Sequence, residues 1–371
     1  MVGAGIFGGS LARELVERGW DVTLVDRYPP GHVRAASGGE TRLIRAAHGG
    51  EAWYVRSARR AWEQWLELEQ ETGKALLVRC GVVWLAHDTE GWEADSERVL
   101  RAEGVPTERL TPAETAELFP SFAGADLAFG LWEPEAGALR ARDATQAIAA
   151  LAQAKGVRFV GGEARPAGDG VEVDGARLDA DVVVWACGAW LAGLFPDHAR
   201  LRVTRQEVIH FGAPIEWSTP PTPAWVDYGA AFYGVGDVDG RGVKVSPDLE
   251  GPEFDPDRDD RTPSEQAAQT ARDYLGRRFP ALADAPLVFS RVCPYALTSD
   301  TNFLIARHPE RQDVWLYGGG SGHGFKHGPA LAEYLAGVIE GGGEPDERFA
   351  LGERGPGQSL RTAGTAPAPT N

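Results

Sequence analysis

Apolar positions along the chain fall alternately at helical and at strand spacing. Leu11 and Leu15 lie four apart within residues 10–18, and Gly19 follows, which predicts a helix closed by a glycine. Val22-Thr23-Leu24-Val25 is a short apolar run ending in Asp26, the pattern of a buried parallel strand. After a loop over residues 28–50, Val55, Ala58, Trp62 and Trp65 mark one face of a long helix ending near Gly73. A strand over 81–86, a helix over 143–155 stopped by Gly156, and the buried run Val182-Val183-Val184-Trp185-Ala186 come next. Residues 201–292 carry shorter runs between Gly and Pro turns and predict an antiparallel sheet. Within them, Thr262-Pro263-Ser264-Glu265 reads as a capping box with Pro at the first helical position. The strand Val314-Trp315-Leu316-Tyr317 and a last helix through Leu331, Leu335 and Val338 return to the first pattern.

This order predicts an α/β protein with an α+β substrate domain. A Rossmann-type nucleotide domain would be assembled from residues 1–75, 140–200 and 293–350. A substrate domain built on an antiparallel sheet, residues 76–139 and 201–292, would be inserted into it. Residues 353–371, rich in Gly, Pro, Ala and Thr, read as a disordered tail.

Three stretches carry chemistry. Gly3-Ala4-Gly5-Ile6-Phe7-Gly8 is a GxGxxG turn, whose glycines let a pyrophosphate approach the backbone at a helix N-terminus. Asp26 follows Gly8 by 18 residues, where an acid accepts the ribose hydroxyls. This signal alone does not separate FAD from NAD. Only Met1 and Val2 precede the turn, so the first strand is either a stub or cut short; we favour truncation, with weaker cofactor binding. The second stretch, Gly39-Glu40-Thr41-Arg42-Leu43-Ile44-Arg45, offers two arginines able to clamp a carboxylate; solvated surface arginines are the alternative. The third, residues 318–326, packs five glycines with His323 and Lys326 between a strand and a helix, bringing backbone close to a ligand.

Composition narrows the partners. With 371 residues, 43% apolar and 25% charged, the chain is an ordinary globular one of about two domains. A net charge of -17 disfavours nucleic acid and anionic membranes. There is no apolar run of about 18 residues and no signal-peptide pattern. Cys80, Cys187 and Cys293, odd in number and without CxxC spacing, fit a reducing cytoplasm. No metal site is expected. The oligomeric state is not legible, and a monomer is compatible with the sequence.

Taken with Cys293-Pro294-Tyr295-Ala296-Leu297-Thr298-Ser299-Asp300, these motifs resemble the monomeric sarcosine oxidase branch of the D-amino acid oxidase superfamily, from Gly3 to about Gly341. The resemblance implies FAD held by Gly3, Gly5, Gly8, Asp26, Thr41, Arg42 and the loop Gly320, Ser321, Gly322, His323, Gly324, Phe325 and Lys326. It implies covalent attachment of the flavin through Cys293, a thiolate being a fit nucleophile; a buried core thiol is the other reading, assigned also to Cys80 and Cys187. Arg45 and Lys326 would bind the substrate carboxylate, and Tyr233 and His323 would line the pocket. Lys244 would activate oxygen by stabilising superoxide as it forms.

Four departures point away from sarcosine itself: Pro247-Asp248 replaces a histidine, Gly39 the histidine often preceding GETR, Ala306-Arg307 an aspartate, and His48 a pocket tyrosine. The implied activity is oxidation of the C–N bond of a small N-alkyl or cyclic amino acid, or a similar secondary amine. O2 would be the acceptor and H2O2 the product. The alternatives are a dehydrogenase with another electron acceptor, a flavin-binding protein without turnover, and an NAD-dependent dehydrogenase.

Overall fold

The computed structural model describes residues 1–168, 170–352, 354–355 and 360. The strand Thr23–Asp26 pairs in parallel with Arg158–Gly161. Val183–Trp185 pairs in parallel with Arg311–Gly318, which runs antiparallel to Leu304–His308. Val2 joins the two halves, bridging Val25 on one side and Trp185 on the other. Its amide donates to Val184 O at 2.8 Å and its carbonyl accepts from Ala186 N at 2.7 Å, while Gly3 N donates to Val25 O at 2.7 Å. Residues 1–3 thus pair on both sides, between the two halves of the sheet.

The helix Ile6–Glu17 packs against Ala141–Ala154 and Gly328–Ile339. Leu11, Leu24, Ile148, Leu331 and Leu335 close the core between these helices and the sheet. The helix Ala52–Thr72 buries Val55, Ala58, Ala61, Trp65 and Leu68, a helical stripe, and ends at left-handed Gly73.

The second layer is an eight-stranded sheet. In spatial order its strands are Leu287–Leu297, Arg202–Phe211, Val243–Pro247, Phe232–Val235, Ala224–Asp227, Val82–Ala86, Phe129–Glu133 and Glu108–Leu110. It is antiparallel except where Ala224–Asp227 meets Val82–Ala86 in parallel. These two strands come from distant stretches, so no hairpin sets their direction. The strands from residues 201–292 pair antiparallel as expected, and the sheet is mixed only where Val82–Ala86 joins it.

Two local expectations are corrected. The loop over residues 28–50 contains the strand Thr41–Ile44, which pairs with Gly137–Arg140, so distant pairing makes the strand. The helix after Thr262 is Glu265–Arg278 and is capped by Ser264, whose Oγ accepts from Ala267 N at 3.1 Å. Thr262 is engaged elsewhere, donating its hydroxyl to Asp260 Oδ1 at 2.8 Å. The same Thr-Pro-x-Glu pattern at Thr111–Glu114 does form the reciprocal box. Most of the tail expected at 353–371 lies outside the described residues, but Arg354 and Leu360 are tied in. Arg354 pairs with Asp300 at 3.0 Å, and Leu360 is buried with its amide donating to Thr301 Oγ1.

Candidate active site

Where the first helix begins, the glycine turn is forced by space. A Cβ on Gly8 would lie 1.9 Å from Gly3 O, and one on Gly3, at φ +102°, would lie 2.4 Å from Ala186 O. The turn leaves the N-terminus of Ile6–Glu17 without a capping residue of its own; Ser37 Oγ, from a distant loop, accepts from Ile6 N at 3.0 Å. Asp26 is fixed by the same turn, accepting from Ala4 N at 2.7 Å and Tyr28 N at 2.8 Å. Burial raises its pKa, opposed by those two donors.

A cavity of about 690 Å³ starts at this turn. Gly3, Gly5, Asp26 and Ser37 line it, and so do Arg42, Tyr295, Gly320, Ser321, Gly322, Gly324 and Phe325. The size suits a cofactor site. The lining fits a dinucleotide: the glycine turn carries no side chains that would fill it, Asp26 offers an acid, and the N-terminus of Ile6–Glu17 opens beside them. The glycine loop is strained to keep its backbone there, with Ser321 at φ +44° beside Gly319 and Gly322, also at positive φ. Cys187, expected in the core, is half-buried on the wall of this cavity, 3.6 Å from Val2 O. Cys80 is buried as expected, and burial pushes its thiol up to about 11.

The expected site residues gather around the strand Thr41–Ile44. On one side, Lys244 Nζ donates to Thr41 O at 3.1 Å and lies 4.8 Å from the centre of the Tyr233 ring. Lys244 reaches this place from Val243–Pro247, is 1% exposed, and has its pKa lowered by burial. Tyr233 OH is 3.5 Å from Tyr295 OH, on the cavity wall. Arg42 donates to Thr41 O, to Ala36 O and, at 3.5 Å, to Cys293 Sγ.

Beyond the end of that strand lies a second group. Arg45 is buried, donating to Ala47 O and stacking over Trp84, and burial lowers its pKa to about 10. Lys326 Nζ donates to His323 O at 3.0 Å, and burial pushes its pKa well down. Trp65 Nε1 donates to Lys326 O at 2.8 Å, fastening the loop to the long helix. His48 is fully buried, with Nδ1 2.8 Å from Ala46 O. His323 Nε2 is 2.9 Å from Thr301 O.

Two residues here escaped the sequence reading. Glu133, 1% exposed, accepts from Ala46 N at 2.7 Å, from Ala47 N at 3.2 Å and from Trp84 Nε1 at 2.8 Å. It therefore sets the loop that carries Arg45 and His48. His327 lies with Nε2 3.4 Å from His48 Nε2. Its spacing of four from His323 was a readable signal; nothing local marks Glu133.

Among the described residues, Arg45, Lys244 and Lys326 form no salt bridge. All three donate to backbone carbonyls instead. Buried cations without carboxylate partners are disposed to take anions. None of the three lines the 690 Å³ cavity, although Arg42 and Phe325, neighbours in sequence of two of them, do.

Comparison with known proteins agrees with this geometry. Residues 1–338 match the DAO family, FAD dependent oxidoreductase. The chain is 30% identical over 354 residues to a monomeric sarcosine oxidase of Streptomyces avermitilis, covering 91% of each chain. It is 27% identical to an N-methyl-L-tryptophan oxidase of Yersinia pestis, covering 91% of this chain and 93% of that one. In fold it is similar to L-proline dehydrogenase from P. horikoshii, with a TM-score of 0.82, 24% identity and 94% of each chain covered. It is similar also to iminodiacetate oxidase from Chelativorans sp., with a TM-score of 0.78, 23% identity, and 94% and 97% covered. Among the described residues no helix is long and apolar enough to cross a membrane. The chain belongs to the DAO family of FAD-dependent oxidoreductases.

Proposed function

We propose that this enzyme oxidises the C–N bond of a small N-alkyl or cyclic amino acid, with O2 as acceptor. The amine loses two electrons and two protons to become an imine, which water hydrolyses; O2 takes up two electrons and two protons and leaves as H2O2. The observation that carries the reading is the set of buried cations on backbone carbonyls, Arg45 and Lys326 in one group and Lys244 in the other. The names of the relatives, sarcosine oxidase and N-methyl-L-tryptophan oxidase, support an N-methyl amino acid.

FAD, when bound, supplies the two-electron exchange between amine and oxygen. The turn Gly3–Gly8, Asp26, Arg42 and the loop 320–325 would hold it, with Cys293 as its covalent anchor. Arg45 and Lys326 hold the substrate carboxylate and so orient the reacting carbon. Tyr233 and His323 shape the pocket wall. Lys244 places a positive charge where oxygen first becomes anionic.

The test is anaerobic bleaching of the flavin by N-methyl, cyclic and primary amino acids, each beside its decarboxylated analogue. Carboxylated secondary amines should bleach it, and Arg45→Ala should raise KM at least about tenfold, the effect of losing 1.4 kcal/mol of binding. Equal bleaching by the decarboxylated analogues, or unchanged constants in Arg45→Ala, would overturn the carboxylate clamp.

A further inference from the structure

His48, His323 and His327 converge from two distant parts of the chain, and all three are buried. A ring nitrogen of each lies within 4.8 Å of the others. The ring centroids are 5.2, 5.6 and 6.1 Å apart. Tyr54 packs on all three rings and Phe303 on two of them, His323 and His327.

The hydrogen bonds on the outer sides of the rings are those of ligating histidines. His48 Nδ1 faces Ala46 O at 2.8 Å, and His323 Nε2 faces Thr301 O at 2.9 Å. A carbonyl only accepts, so each of these nitrogens carries the proton and the opposite nitrogen has the lone pair. His327 Nδ1 lies 2.9 Å from Ser57 Oγ, which can accept in the same way. A metal-bound histidine has this arrangement, its remote N–H held by a carbonyl or hydroxyl. Of the inner distances, the one between His48 and His327 fits too, and the His323 nitrogen lies within 4.8 Å of both. Tetrahedral ligation at 2.0–2.1 Å sets nitrogens about 3.3–3.4 Å apart, and His48 Nε2 and His327 Nε2 are 3.4 Å apart.

We propose that His48, His323 and His327 form a binding site for one divalent first-row transition cation. Three neutral imidazoles suit Zn2+, Ni2+ or Co2+ and leave a fourth position open. Arg45 and Lys326 stand close by and oppose a second positive charge, whereas Glu133 offsets them. Affinity therefore comes from ligation and not from charge, and hard Mg2+ should not bind. The bound ion would pin the loop after Arg45 to the segment that carries Lys326. The inference does not depend on which amine is the substrate.

The experiment loads the flavin-containing enzyme, stripped with chelator, with Zn2+, Ni2+ or Mg2+ alone. Metal retained after gel filtration is then counted per chain, and thermal unfolding is followed. One equivalent of Zn2+ or Ni2+, no Mg2+, and a higher Tm are expected. His48→Asn and His327→Gln, each checked for fold by circular dichroism, should weaken Zn2+ binding at least about tenfold. His198→Ala, which disrupts the separate pair of His198 and His308, should retain the metal. No retained metal in the parent enzyme, or undiminished binding in a folded His48 or His327 variant, would overturn the site and leave the three rings as core packing. If one variant does not fold, the other decides, and the count on the parent enzyme stands alone.

Discussion

Replacing Glu133 by Gln removes one charge and one acceptor from a place where every contact is to a donor. Oε2 receives Ala46 N and Ala47 N, while Oε1 receives Trp84 Nε1 at 2.8 Å and, at 3.3 Å, Ala47 N. Whichever way the amide turns, its NH2 confronts one of these N–H groups, and that donor is left buried without a partner. An orphaned buried donor costs about 1–3 kcal/mol, and the bonds that remain lose their charge assistance. A total of roughly 2–4 kcal/mol follows, large for a change of one atom. Arg45 also loses a neighbouring negative charge, so its pKa falls further below about 10. Urea unfolding of Glu133→Gln should show the loss as a lower midpoint. Glu135→Gln, at an exposed carboxylate paired with Arg59, should move stability by less than about 0.5 kcal/mol. If the two variants are equally stable, the role given to Glu133 in setting the Arg45 loop is wrong.

Other outcomes follow from the same geometry. Lys244→Met should leave anaerobic flavin reduction near normal but slow reoxidation by O2 at least about a hundredfold; unaltered stopped-flow reoxidation would remove Lys244 from the oxygen step. Acid precipitation should leave the yellow colour in the pellet of the parent enzyme and in the supernatant of Cys293→Ser; colour in both supernatants would rule out the covalent link. Gly8→Ala should purify without flavin, since its Cβ meets Gly3 O; a fully yellow variant would contradict the turn's role. His210 is buried, and burial lowers its pKa to about 4, with the Lys244 charge adding to the effect. The unfolded chain takes up this proton near pH 6.5 and the folded one only near 4, so stability falls as pH drops through that window. The loss should reach at most about 3.4 kcal/mol, and His210→Gln should flatten urea midpoints measured between those pH values; an unflattened profile would assign the loss to other groups.

The legible part of the fold was the part with short-range physics behind it. The stripe of Val55, Ala58 and Trp65 reports a helix face because 3.6 residues make a turn, and Gly73 ends that helix because left-handed backbone there suits glycine. The strand Thr41–Ile44 was read as loop because its partner, Gly137–Arg140, lies almost a hundred residues away. Thr262 failed as a cap while Thr111 succeeded, although the four-residue pattern is the same, because Asp260 competes for the Thr262 hydroxyl.

At the site the division is similar. The sequence by itself determined the family and marked the glycine turn, Asp26 and the glycine loop, because backbone approach to a ligand demands particular residues at particular spacings. Only the tertiary structure decided that residues 1–3 pair between the two halves of the sheet, that Glu133 holds the loop of Arg45, and that His48 meets His323 and His327. A carboxylate or an imidazole has the same local signature in solvent as in a core. Its role is fixed by what the folded chain brings within hydrogen-bond distance, and that is a property of long-range packing.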